Sequence, residues 1–432
     1  MTASLESGSS VEGDPSLDET VRAFGRIGVM SFGGPAAQIA LMHKVIVDEK
    51  SWLSEKQFLN ALSFCMLLPG PEAMQLATYA GWRLHGVLGG LIAGLLFVLP
   101  GATVILTLGT IYAYLGNVPL VEALFLGIKA AVLVIVIEAL LKVSKKALHQ
   151  KMHWVIAGLA FIGIFFLQMP FPLIVLAAAL FGFFQARGQA GALSPETART
   201  VSPFDTLRTI VVWLAIWLVP LIAVTLLADQ AILTEIGTFF SKLAVVTFGG
   251  AYAVLAYMAQ DVVNQFGWLT AGEMMDGLGL AETTPGPLIL VTQFVGFLSA
   301  FREGGFMLGL AGALVTLWVT FVPCFLWIFA GAPYIEWIGT QPRLKGALTA
   351  ITAAVVGVIL NLSVWFALHV LFASVTPTKY GPVTLWQPDL TSVDWRAWAL
   401  FALCAVLAFG LHWGIGRVLI VSSLLGALLT LL

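Results

Sequence analysis

Charge is what this sequence has least of. Asp, Glu, Lys and Arg make up 10% of its 432 residues, against about 25% in a soluble domain. So few charges cannot cover a soluble fold of this length, which excludes a soluble enzyme. Disorder is excluded as well, because 59% of the residues are apolar and disordered chains are not. Cysteine is scarce too. Cys65, Cys324 and Cys404 lie far apart in apolar runs without metal-ligand spacing, so neither a disulfide framework nor a metal site is expected. The balance of 21 basic and 23 acidic residues leaves no basic surface for nucleic acid. The first 20 residues are polar and acidic and lack the apolar core of a cleavable signal peptide. No Walker loop, dinucleotide fingerprint, haem motif or zinc signature occurs. ATP drive, a bound cofactor and enzymatic chemistry are therefore not expected.

What the chain has is apolar length. Its mean hydropathy is +0.96, and a helix needs about 20 apolar residues to cross a bilayer. Thirteen segments qualify as candidates: 24–47, 58–82, 86–115, 118–141, 153–169, 170–186, 208–228, 235–259, 274–298, 304–331, 344–371, 396–411 and 413–432. The first two are rich in Gly, Pro and polar residues and are candidates for broken or re-entrant segments. Pro170 and Pro172 divide an uncharged run over 154–186 into a helical hairpin. The fold class expected is all-α, a polytopic integral membrane protein of about 10–13 segments. Lys142, Lys145, Lys146 and Lys151 form the densest basic cluster. Placing it in the cytoplasm puts the N-terminus there as well.

The chain repeats itself. A shift of 216 residues aligns 24–71 with 240–287 without a gap, and fifteen of the 48 positions are identical. Phe32-Gly33-Gly34 matches Phe248-Gly249-Gly250, and Pro69-Gly70-Pro71 matches Pro285-Gly286-Pro287. Arg26 falls opposite Lys242, and at the same shift Lys129 falls opposite Lys345. The expected organisation is a polar tail over 1–22, a first repeat over 23–186, a linker with one span over 187–234 and a second repeat over 235–432. An odd number of segments between the repeat starts predicts inverted topology, a recurring design of secondary transporters.

Candidate chemistry sits at the repeated motifs. Each Pro-Gly-Pro interrupts an apolar segment, and a helix restarting at Pro71 would offer free N–H groups to an anion. Thr283 and Thr284 add hydroxyls at the second break, and Gln75 follows the first at helical spacing. A structural kink is the alternative. Gly33-Gly34 and Gly249-Gly250 permit unwinding or close helix packing. Lys129 lies far from either end of its segment, where a charge is costly and functional by default. With Arg26, Lys242 and Lys345 it would neutralise a dianion, although Arg26 and Lys345 also suit snorkelling to the interface. Of the carboxylates Glu72, Glu122, Glu138, Asp276 and Glu282, Glu72 and Glu282 flank the breaks. They are the candidates for a coupling proton, with ion pairing as the alternative.

Several strings carry a family resemblance. Leu68-Pro69-Gly70-Pro71-Glu72-Ala73-Met74-Gln75-Leu76-Ala77 and Phe97-Val98-Leu99-Pro100-Gly101 occur in the first half. Gly267-Trp268-Leu269 and Ala281-Glu282-Thr283-Thr284-Pro285-Gly286-Pro287 occur in the second. Together they resemble the long-chain form of the chromate ion transporter family. The resemblance implies a multi-pass protein of a bacterial-type plasma membrane that expels chromate by secondary transport, with sulfate as a candidate exchange partner, and so confers resistance. The partners expected are chromate and sulfate, the lipid bilayer and, as a candidate assembly, a homodimer. A sulfate or oxyanion importer, a passive anion channel and a membrane scaffold stay open at this point.

Overall fold

The computed structural model describes residues 15–116, 118–186, 202–227, 230–248, 251–335, 338 and 341–431. They form an all-α polytopic membrane protein with one short β-hairpin. Five helices are long and apolar enough to cross a membrane.

The first half opens with α1 (Leu17–Met30) and α2 (Gly34–His43), which runs on as a π turn over Lys44–Glu49. Then come α3 (Glu55–Cys65), α4 (Glu72–Leu115), α5 (Pro119–Ala147), α6 (Lys151–Phe165) and α7 (Phe171–Gln185). α8 (Pro203–Leu227) connects the halves. The same order then recurs. α9 (Ala231–Val246) and α10 (Ala251–Gln260) are followed by a π turn over Asp261–Gln265 and by α11 (Ala271–Thr283). α12 (Val291–Gly331), α13 (Pro342–Leu371), α14 (Trp395–Ala405) and α15 (Ile415–Leu431) complete it.

Local sequence explains the matching starts. Ser54 and Gln57 make a capping box on α3, and Thr270 and Glu273 make one on α11. Such a cap contributes about 1 kcal/mol. Pro119 and Pro342 each occupy the first turn of their helices, where a missing N–H costs nothing.

α4 and α12 are not single rods. Each folds back on itself, at His85-Gly86 and at Gly304-Gly305. A Cβ on Gly81 would strike the Gly89 carbonyl, and one on Gly312 would strike the Gly296 carbonyl. Each is therefore a half-length limb (72–84, 291–303) packed antiparallel on a long one (87–115, 306–331). The long limbs match the expected segments 86–115 and 304–331, because charged or polar residues (Arg83 and His85, Arg302 and Glu303) mark the reversals. The expected segments 58–82 and 274–298 are instead each split between a short limb and the preceding helix, α3 or α11.

Helix packing is reciprocal. α1 lies on α4 as α9 lies on α12, and α4 meets α12 at the centre. α5 of the first half is embraced by α14 and α15 of the second, while α13 is embraced by α6 and α7 of the first. The hairpin, Val375–Tyr380 paired antiparallel with Val383–Pro388, sits between α13 and α14. It docks through the Thr384 N–H, which donates to the Phe166 carbonyl at 2.7 Å. The hydropathy pattern does not foretell it.

Candidate functional site

The breaks of the two halves cross each other. The Gly70 N–H donates to the Thr247 carbonyl at 2.9 Å, and the Gly286 N–H donates to the Ser31 carbonyl at 2.9 Å. Ser31 Oγ and Thr247 Oγ1 each bond back to a carbonyl one turn earlier, Ile27 and Leu243, at 2.5 Å. Gly70 has φ +121° and Gly286 φ +87°, a region that favours glycine. A Cβ on Gly70 would also lie 2.9 Å from Cys324 Sγ, and one on Gly286 would lie 3.7 Å from Gly101 Cα.

Glutamines brace the crossing. Gln75 Nε2 donates to the Pro69 carbonyl at 2.7 Å, and Gln38 Nε2 to the Gly286 carbonyl at 2.6 Å. Both side-chain oxygens are buried without a partner among the described residues. Sequence reading missed Gln38, whose only signal is a lone amide in an apolar run.

These bonds limit what the motifs offer a ligand. The Gly70 and Gly286 amides are already engaged across the halves. Pro71 is the N-cap of α4 rather than its first helical residue, which is Glu72. At the second break Pro287 precedes a 3-10 turn over Leu288–Leu290, so the α-helix resumes only at Val291. Thr284 is buried with its hydroxyl on the Ala281 carbonyl at 3.0 Å, and Thr283 is exposed with its hydroxyl on the Leu280 carbonyl at 2.8 Å.

Thr283 lines a cavity of about 690 Å³ that reaches one of the two crossings, where the second break meets the unwound stretch between α1 and α2. Phe32 and Gly33 line it from the unwound stretch between α1 and α2, Glu282 and Thr283 from the end of α11 at the second break, Glu138 and Lys142 from α5. The turn before α15, with Trp413, forms the opposite wall. Lys142 Nζ is 2.5 Å from Glu138 Oε1, and the Tyr252 hydroxyl donates to Glu282 Oε1 at 2.6 Å. The cavity thus holds two carboxylates and one ammonium.

A second charged station lies further back along α5. Lys129 Nζ is 3.4 Å from Asp276 Oδ2, which also accepts from the Tyr112 hydroxyl at 2.8 Å. Asp276 Oδ1 is buried without a partner. At 1.5 Å per residue, Lys129 stands about 13 Å along α5 from Glu138.

The other expected cations do not join it. Arg26 pairs with Glu49 at 3.3 Å on the surface, and Lys242 and Lys345 are exposed. The equivalence of Lys129 and Lys345 is also corrected. The 3-10 turn at Leu288–Leu290 and a longer stretch from the reversal to the next proline, Gly305 to Pro323 against Gly86 to Pro100, lengthen the second half. With Pro119 matched to Pro342, Lys129 falls opposite Thr352 and Glu138 opposite Asn361. Glu72 is half-buried, with Lys146 near enough to act on it electrostatically. Gly33 is the left-handed N-cap of α2, and Gly34 is left-handed too. Gly249 and Gly250 lie outside the described residues.

The sequence profile of the chromate transporter family matches residues 19–183 and 234–431. The chain is 30% identical over 353 residues to a chromate transport protein of Cupriavidus metallidurans, covering 79% of this chain and 80% of that one. It is 32% identical over 346 residues to a chromate transport protein of Pseudomonas aeruginosa, covering 78% and 77%. An uncharacterized transporter of Bacillus subtilis is 29% identical over 163 residues, which is 37% of this chain and 92% of the relative. No solved structure matches this chain.

Proposed function

The chain belongs to the chromate transporter family, and on that premise we propose that it is a secondary active carrier that exports chromate across the plasma membrane and so confers chromate resistance. The observation that carries this reading is the cavity that ends where the second helix break crosses the unwound stretch of the first half. Irregular backbone at membrane depth is tolerated where it lines a cavity or is buried in protein. In carriers built from inverted repeats, such breaks hold the substrate.

The repeats are those over 23–186 and 235–432, joined through 187–234, and their reciprocal packing supports a two-fold relation in the membrane plane. Lys142 lines the cavity and Lys145 and Lys146 follow it on α5, which under the positive-inside rule supports a cytoplasmic mouth on the same side as the N-terminus. Chromate would enter from there as a tetrahedral dianion. Lys142 supplies charge and Thr283 a hydroxyl, while Pro69, Gly70, Pro71 and Gln75 with Pro285, Gly286 and Pro287 form the closed joint behind the cavity. Glu282 in the cavity and Glu72 beside the first break are the carriers of a coupling proton, and antiport of protons against chromate follows. Sulfate, with the same shape and charge, competes.

The test is chromate uptake by energised inverted membrane vesicles, with and without a protonophore and with added sulfate. Uptake that collapses with the protonophore supports export. Absence of uptake by energised vesicles containing the protein overturns it.

A further inference from the structure

The open cavity has a closed counterpart in the other half. Matching Pro119 to Pro342 sets Glu138 against Asn361 and Lys142 against Trp365. The turns that join the last two helices of each half correspond as well. Gln168 and His412 are the residues of these turns with left-handed backbone, at φ +50° and +56°. Asn361, Trp365 and Gln168 together line a pocket in the second half. On the other side, Glu138, Lys142 and Trp413 line the open cavity. The two spaces are therefore the same place in the two repeats. One measures about 690 Å³ and the other about 10 Å³, and a single water needs about 10–15 Å³.

Two features shut the small one. Gln260, at the end of α10, donates from Nε2 to Gln168 Oε1 at 2.6 Å. Trp386 of the β-hairpin lies over the same opening, with its ring edge-on to Trp365 at 6.5 Å between centroids. The first half has no such hairpin, since only 148–150 separate α5 from α6. The arms differ in the same sense. α10 and α11 pack against α13, and α11 also packs against α5. α2 and α3 have no comparable packing on α5 or α13. Lys44, which stands 216 positions before Gln260, is exposed near Glu49 and does not line the open cavity.

We propose that the pocket at Asn361 is the second mouth of the transport path, held shut by the Gln168–Gln260 hydrogen bond and by Trp386. It opens when the α10–α11 arm leaves α13, as the α2–α3 arm is already parted from α5. The inference rests on the carrier reading above. Two unequal conformations of one repeated unit are what a carrier needs to expose its site to either side in turn.

The experiment pairs a cross-link with side-specific labelling in membrane vesicles. Cys65, Cys324 and Cys404 are buried and give little background. Oxidation of the Gln168→Cys/Gln260→Cys variant should form a disulfide and reduce chromate flux to that of the uncross-linked fraction, with recovery on reduction. A cross-linked protein at the full rate, or no cross-link at all, overturns the proposal. In parallel, a membrane-impermeant maleimide is used on Asn361→Cys and on Thr283→Cys. Thr283→Cys should label from one side and Asn361→Cys only slowly from the other. Adding Gln260→Ala should raise labelling of Asn361→Cys about fivefold, the shift set by losing one net hydrogen bond. Labelling of both from one side, or no response to Gln260→Ala, overturns the second mouth. Labelling does not depend on the substrate, so wild-type vesicles without chromate or sulfate flux would refute the carrier reading separately.

Discussion

Gly70 donates its amide to the carbonyl of Thr247 across the centre of the molecule at 2.9 Å. The two residues belong to different repeats, and the exchanged pair Gly286 and Ser31 repeats the bond at the same distance. Each Pro-Gly-Pro break is thus stitched to the unwound stretch of the opposite half. The motif that looked most like a ligand cradle is first of all a joint, and a ligand meets its edges.

The joint predicts which substitutions break it. Gly70→Ala places a Cβ 2.9 Å from Cys324 Sγ in a left-handed backbone. The combined strain and overpacking should cost about 2–4 kcal/mol. Thermal unfolding in detergent should show the loss. Cys324→Gly, which copies the Gly286–Gly101 contact, should recover only part of the steric cost, because the same Cβ also lies 2.8 Å from Gln75 Nε2. If Gly70→Ala unfolds at the wild-type temperature, the crossing is looser than described.

Lys129 needs a paired test. Lys129→Met leaves Asp276 buried at 3% exposure with its Oδ1 already unpartnered. Breaking a fully buried pair costs about 3–5 kcal/mol, and less here because the Lys129 side chain keeps 27% exposure. Adding Asp276→Asn should restore the melting temperature. If Lys129 attracts the substrate, the stable double variant still transports chromate with a raised KM. Wild-type kinetics in that variant would leave Lys129 a structural role only.

Glu282→Gln fixes the cavity side chain in an uncharged form while keeping the hydrogen bond from Tyr252, which lies at 2.6 Å in the wild type. If the carboxylate carries the coupling proton, the pH dependence of flux flattens and the protonophore loses its effect. Glu72→Gln provides the comparison at the first break. A pH profile unchanged in both variants argues that neither carboxylate moves the proton.

Lys142→Gln removes the only ammonium that lines the cavity among the described residues and leaves Glu138 without its ion-pair partner. Chromate KM should rise about tenfold, since one charge-assisted contact is worth about 1.4 kcal/mol or more. Initial rates against chromate concentration give the answer. A fall in Vmax at constant KM would place Lys142 outside the binding step.

Much of this was legible in sequence. Glycine and proline announce breaks, so Phe32-Gly33 and both Pro-Gly-Pro motifs could be placed before any coordinates. The reversals within α4 and α12 were marked by charge, at Arg83 and His85 and at Arg302 and Glu303. Register was harder. The extra residues at Leu288–Leu290 and between Gly305 and Pro323 are apolar and leave no gap in hydropathy, so the sequence alone sets Lys129 against Lys345 instead of Thr352. The convergence of Glu138, Lys142 and Glu282 was hidden for another reason. It depends on α5 of one half lying against α11 of the other, and hydropathy says nothing about which helices become neighbours. The hairpin at Val375–Tyr380 and Val383–Pro388 is too short and mixed for any membrane pattern.

The exchange of long helices bears on how the polypeptide comes together. α5 is clasped by α14 and α15, and α13 by α6 and α7, so each half completes the other's scaffold. During synthesis the first half reaches the bilayer with α5 lacking its later partners. It must wait for the second half before its core closes. Two polypeptides divided between α7 and α8 should therefore assemble when made together, and each alone should be cleared by proteolysis.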